Sequence, residues 1–81
     1  MNELSLEELI VSIVEPLVDF PEDIHVSSLE KDEQVIYTLS VNAEDTGKVI
    51  GKQGRTAKAI RTVIFAAGAE SSKKVQLEIA D

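Results

Sequence analysis

The residues best suited to chemistry in this chain are Gly51, Lys52, Gln53 and Gly54, at the centre of a basic segment running from Thr46 to Arg61. A glycine at each end lets the backbone turn sharply and approach a ligand with no Cβ in the way. Lys52, Arg55 and Lys58 add positive charge beside what reads as the start of a helix, where unpaired amides and the helix dipole attract anions. The combination suits a phosphate. Spacing excludes two common nucleotide motifs. A Walker A loop needs four residues between its glycines and a hydroxyl after its lysine, whereas three residues separate Gly47 from Gly51 and Gln53 follows Lys52. A dinucleotide fingerprint needs G-x-G-x-x-G directly after a strand, and here a bare G-x-x-G joins two helical patterns.

The remainder of the chain offers little catalytic material. His25 is the only histidine and there is no cysteine, so thiolate metal sites, disulfides and nucleophilic catalysis lack their parts. Glu30, Asp32 and Glu33 fall in an expected hairpin turn and read as solvating charge, not as an acid/base pair. The expectation is a non-enzymatic domain with no metal, no cofactor and no small-molecule substrate.

Composition and charge bound the partners. With 81 residues, 43% of them hydrophobic and 28% charged, the chain reads as one soluble domain over residues 1–81, small enough that a partner subunit would help it. Its N-terminus is acidic where a secretory signal is basic, and no apolar run approaches the length of a membrane span, so a cytoplasmic protein is expected. The net charge of −7 argues against a polyanionic partner only as an average. Residues 1–45 hold twelve acids against Lys31, a net −11, whereas residues 46–81 hold seven bases against three acids, a net +4. At a Debye length of about 8 Å, a basic patch on one side is largely screened from acids on the other.

The elements that must position the loop are legible from periodicity. Ser5 with Glu8 forms a capping box, and Leu6, Leu9, Ile10, Ile13, Val14 and Leu17 follow at helical spacing until Pro16 loosens the last turn. Alternation then predicts strands over 24–29 and 35–41, joined as a hairpin through 30–33. A short helix is expected over 45–50, and a longer one after Gly54. The longer helix carries Ala57, Ile60, Ile64 and Ala67 on one line, Ala59, Val63 and Ala66 beside it, and Gly68 as its C-terminal cap. A turn over 69–72 leads to a third strand over 75–79, parallel to the second through the helical crossover. The expected fold is α+β, in the order α-β-β-α-α-β, with a three-stranded mixed sheet covered by helices on one face. Thr38, Ser40, Gln76 and Glu78 would lie on the solvated face.

Val49-Ile50-Gly51-Lys52-Gln53-Gly54 followed by Ile60, between two helices, resembles the signature of the KH domain, whose G-x-x-G loop clamps about four single-stranded nucleotides. The element order resembles the type II KH fold over the whole chain, and the short acidic start is similar to small bacterial single-KH RNA-binding proteins of the KhpA family. Ala57 stands where KH signatures often have a larger aliphatic residue. The resemblance implies RNA contact through Lys48, Val49, Ile50, Gly51, Lys52, Gln53, Gly54, Arg55 and Lys58. It adds Lys73 and Lys74 from the loop that borders the groove in type II domains; as residues alone, these lysines equally suit the start of a strand. It further implies a homodimer acting as an RNA chaperone or post-transcriptional regulator with a KhpB (Jag/EloR)-type partner, in cell elongation and cell-wall homeostasis. The alternative is a protein-interaction or dimerisation adaptor with little RNA binding, suggested by Val11, Val18 and Phe65 left over on helices. With three aromatic residues, none near the loop in sequence, a stacking platform is not expected.

Overall fold

The computed structural model describes residues 5–69 and 73–80. Helix α1 spans Leu6–Val14 and opens on Ser5, whose hydroxyl accepts from the Glu8 amide at 3.1 Å. Pro16 cannot donate to the preceding turn, and the helix tightens there into a 3₁₀ turn, Glu15–Leu17. A second 3₁₀ turn, Pro21–Asp23, leads into strand β1, His25–Lys31, and strand β2 follows at Gln34–Ser40. Helix α2, Thr46–Ile50, and helix α3, Arg55–Ala67, flank the glycine loop, and strand β3 is Lys74–Ile79. The sheet order is β1-β2-β3, antiparallel for the first pair and parallel for the second.

The core lies between the helices and one face of this sheet. Ile10 and Val14 from α1, Val49 from α2, and Ile60 and Ile64 from α3 meet Leu39, Val75 and Leu77 from the strands. Odd positions of β2 and β3 point inward, as the alternation predicts, while Gln76 and Glu78 stand exposed on the other face and Thr38 and Ser40 are half-buried. The hairpin is tighter than expected. Pairing extends to Lys31 and Gln34, leaving Asp32 and Glu33 as the link, with Asp32 at a positive φ of 40°.

Two features of α3 sharpen the sequence reading. Its apolar residues do not form one broad buried face: Ala57, Ile60 and Ile64 are buried, but Ala59, Val63, Ala66 and Ala67 are exposed, because the sheet and α1 cover only one line of the helix. Gly68 sits at the C-terminal cap position without a left-handed backbone, at φ −90°. What requires glycine there is close packing, since a Cβ would meet Val75 Cγ2 at 2.7 Å. The expected turn falls partly on 70–72, outside the described residues; Lys74 belongs to β3 and not to the loop before it.

Candidate nucleic-acid interface

The loop is built from backbone conformations that few residues tolerate. Gly51 lies at φ 76°, ψ 175°, a region essentially reserved for glycine, and its missing Cβ leaves room for Thr56, whose Oγ1 would stand 2.3 Å away. Lys52–Gly54 then makes one tight turn in which Gln53 (φ 56°) and Gly54 (φ 73°) are both left-handed. A left-handed glutamine carries a steric penalty of roughly 1–2 kcal/mol, and such strain collects at functional sites. Among the described residues no side chain caps α3, which opens directly on Gly54; the Arg55 amide donates to the Lys52 carbonyl, and the amides that follow it have no side-chain cap.

The loop is anchored from behind by Asp45. This residue is fully buried, and its carboxylate accepts from the amides of Asp19 at 3.1 Å and Phe20 at 3.0 Å, with the Lys48 ammonium 3.5 Å away. Burial works to raise its pKa, but the two amides and Lys48 outweigh that and hold it below the ordinary carboxylate range. Asp45 stands at the N-cap position of α2, but its side chain bonds no amide of that helix and instead ties it to the chain leaving α1. Nothing in the sequence marks this, because its partners lie some 25 residues away.

The site residues read from the sequence separate into groups. Lys52, Gln53, Arg55 and Lys58 are exposed around the loop, with Gly51, Gly54 and Ile50 half-buried beside them. Val49 is fully buried in the core. Lys48 bonds to Asp19 as well as lying near Asp45, and its pKa is raised chiefly by the Asp19 contact. Lys73 donates to Glu30 Oε2 at 2.6 Å and, by that bond and its charge, lowers the Glu30 pKa. Lys74 is exposed, on the groove described next.

A groove of about 480 Å³ runs between α3 and the free edge of β3. Lys58, Arg61, Thr62 and Phe65 form its helical wall, at the spacing i, i+3, i+4, i+7, while Lys74 and Leu77 stand on the strand side. Arg61 Nε donates to the Leu77 carbonyl at 3.1 Å, satisfying one acceptor on the edge strand. Arg61 and Phe65 are absent from the RNA-contact residues read from the sequence, where Phe65 stood only as an apolar residue left over on a helix. Continuing the line Lys58, Arg61, Thr62 by one further step reaches Phe65, so an aromatic distant from the loop in sequence stands on the groove wall.

The family model described as KhpA/KhpB, KH domain, matches residues 7–79. The chain belongs to the KhpA/KhpB KH-domain family. Among curated KH relatives, the RNA-binding protein KhpA of Bacillus subtilis is 64% identical over 81 residues, covering 100% of both chains. The protein of the same name from Listeria monocytogenes is 58% identical over 74 residues, 91% of this chain and 97% of its own, and that from Clostridium perfringens is 54% identical over 91% of this chain and 99% of its own. A crystal structure of an Aquifex aeolicus Era variant bound to GDP superposes with a TM-score of 0.65 at 19% identity, over 96% of this chain and 31% of that one. That likeness shows a shared fold alone. Among the described residues no helix is long and apolar enough to cross a membrane.

Proposed function

We propose that this protein binds single-stranded RNA without catalysis, clamping the backbone at Gly51 to Gly54 and laying bases along the groove between α3 and β3. The observation that carries this is the uncapped head of α3 behind the strained G-x-x-G turn, opening beside a groove edged by Lys58, Arg61 and Lys74. KH relatives named RNA-binding protein KhpA support it. On the same family grounds we assign the protein a cytoplasmic role as an RNA chaperone or post-transcriptional regulator, with a KhpB-type partner in cell elongation and wall homeostasis. Replacing Lys52 and Gln53 together by Asp puts two negative charges on the clamp. RNA affinity in a filter-binding series is expected to fall by two orders of magnitude or more while the melting temperature stays within about 2 °C. Undiminished binding would overturn the role of the loop.

A second reading, self-association, is favoured by one observation: Val63 is 46% exposed on the outer line of α3, between Ala59 and Ala66, which are also exposed. A homodimer joined there would let two weak sites act on one strand by effective concentration. Val63→Glu is expected to convert a dimer to a monomer in light scattering; a wild-type monomer at high concentration removes this reading.

A further inference from the structure

The groove wall carries more chemistry than a phosphate clamp and an aliphatic floor require. Arg61 has five N–H donors in a planar fork. Its Nε is committed to the Leu77 carbonyl at 3.1 Å, which fixes the plane and leaves the end-on pair, Nη1 and Nη2, as donors on a residue that lines the groove. Phe65, one helical turn further along the same wall, is 61% exposed. Side chains at i and i+4 lie about 5–6 Å apart, so a base stacked on the Phe65 ring brings one edge beside the Arg61 fork. The described lining contains Lys58, Arg61 and Lys74 and no acid, so nothing there competes for the guanidinium.

From this geometry we propose that Arg61 and Phe65 form a base-reading subsite that prefers guanine. The inference rests on the RNA-binding role proposed above and adds base choice to it. A fork that can only donate needs two adjacent acceptors. Guanine supplies them at O6 and N7, whereas adenine places an amino donor beside N7 and uracil separates its carbonyls by an N–H. Cytosine has adjacent acceptors but a smaller ring to stack. Arg61 acts as the specificity-determining group, and Phe65 supplies stacking that every base can use.

The test compares short U-rich single strands carrying one guanosine, one adenosine, one cytidine or one 7-deazaguanosine, titrated with the wild-type protein and with Arg61→Lys and Phe65→Ala. Guanosine is expected to bind roughly tenfold tighter than adenosine, with most of that advantage lost when N7 is replaced by carbon. Arg61→Lys keeps a charge and a donor for Leu77 but has no fork, so its guanosine strand is expected to bind like its adenosine strand. Phe65→Ala is expected to weaken both strands by a similar factor, roughly tenfold. A wild-type ratio near one, a preference for another base, or an Arg61→Lys protein that retains the guanosine ratio overturns the inference. So does a Phe65→Ala protein that binds both strands like the wild type and has lost only self-association. Binding that depends on Lys52 and Gln53 without base preference overturns this subsite alone; absence of binding to every strand overturns the RNA reading with it.

Discussion

On the α2 side of the glycine loop, Lys48 is held by Asp19 and Asp45. On the α3 side, Lys52, Arg55 and Lys58 are exposed, and no ion pair among the described residues engages them. The two flanks look alike in sequence, each a lysine beside glycines and aliphatic residues. They differ because α2 is a short helix fastened to the rest of the fold by a buried carboxylate that brings its own cation, whereas the head of α3 carries exposed cations and, among the described residues, no side-chain cap. Positive charge near a G-x-x-G loop is thus divided between holding the loop still and meeting the ligand. Lys73, paired with Glu30, belongs with Lys48 in the first group.

The largest expected effect breaks the anchored side. Asp45→Ala leaves the part-buried Asp19 and Phe20 amides without their acceptor and takes one of two carboxylates from Lys48, and leaving such donors unsatisfied is among the costlier single changes. The melting temperature is expected to drop by several degrees or more, a larger loss than any exposed cation gives. The sign with pH follows from the lowered pKa. The contribution is fully present above the unfolded carboxyl value of about 3.9 and is lost as pH falls through the lower folded value. The stability gap between wild type and Asp45→Asn, measured by thermal melts, should therefore be constant from pH 5 to 7 and shrink below about pH 4. A gap that widens on acidification would contradict this account.

That anchor marks the boundary of what sequence could reveal. The sheet order, the strand pairing and the G-x-x-G turn were legible because each rests on local signals: a period of two, a period of 3.6, or glycines flanking polar residues. Asp45 was not, since its meaning depends on two amides brought near only by the tertiary fold. The burial of α3 was half legible, because periodicity finds an apolar line but not how wide a neighbour covers it, and Ala59, Val63 and Ala66 stay outside. Phe65 stood out in the sequence only as a leftover apolar residue, since its distance along the chain from Gly54 concealed that it stands on the same wall as Lys58.

A sharper comparison lies within the loop, between its two glycines. Gly51→Ala meets both obstacles, a backbone region costing about 1–3 kcal/mol for other residues and a Cβ driven into Thr56 Oγ1. Gly54→Ala meets only left-handed strain, roughly 1–2 kcal/mol, because nothing lies within 4 Å of its Cβ. Urea unfolding is expected to rank Gly51→Ala clearly below Gly54→Ala in stability, and Gly54→Asn close to wild type, since asparagine tolerates the left-handed region. Adding Thr56→Ala should recover part of the Gly51→Ala loss and none of the Gly54→Ala loss. Equal losses at the two glycines would mean that Thr56 does not pack as described and that the turn is held by its backbone alone.

The smallest effect tests the division of charge itself. If about four phosphates are neutralised, log K against log salt for a single strand should slope at roughly −3, about 0.7 per phosphate. Lys58→Ala removes one exposed cation from the groove wall and should flatten that slope by about 0.7, with a melting temperature close to wild type. Lys48→Ala removes a cation already matched by Asp19 and Asp45, so the slope should hold while the melting temperature falls modestly. If Lys48→Ala flattened the slope as much as Lys58→Ala, Lys48 would have to leave its carboxylates when RNA binds. The anchored side of the loop would then be part of the clamp.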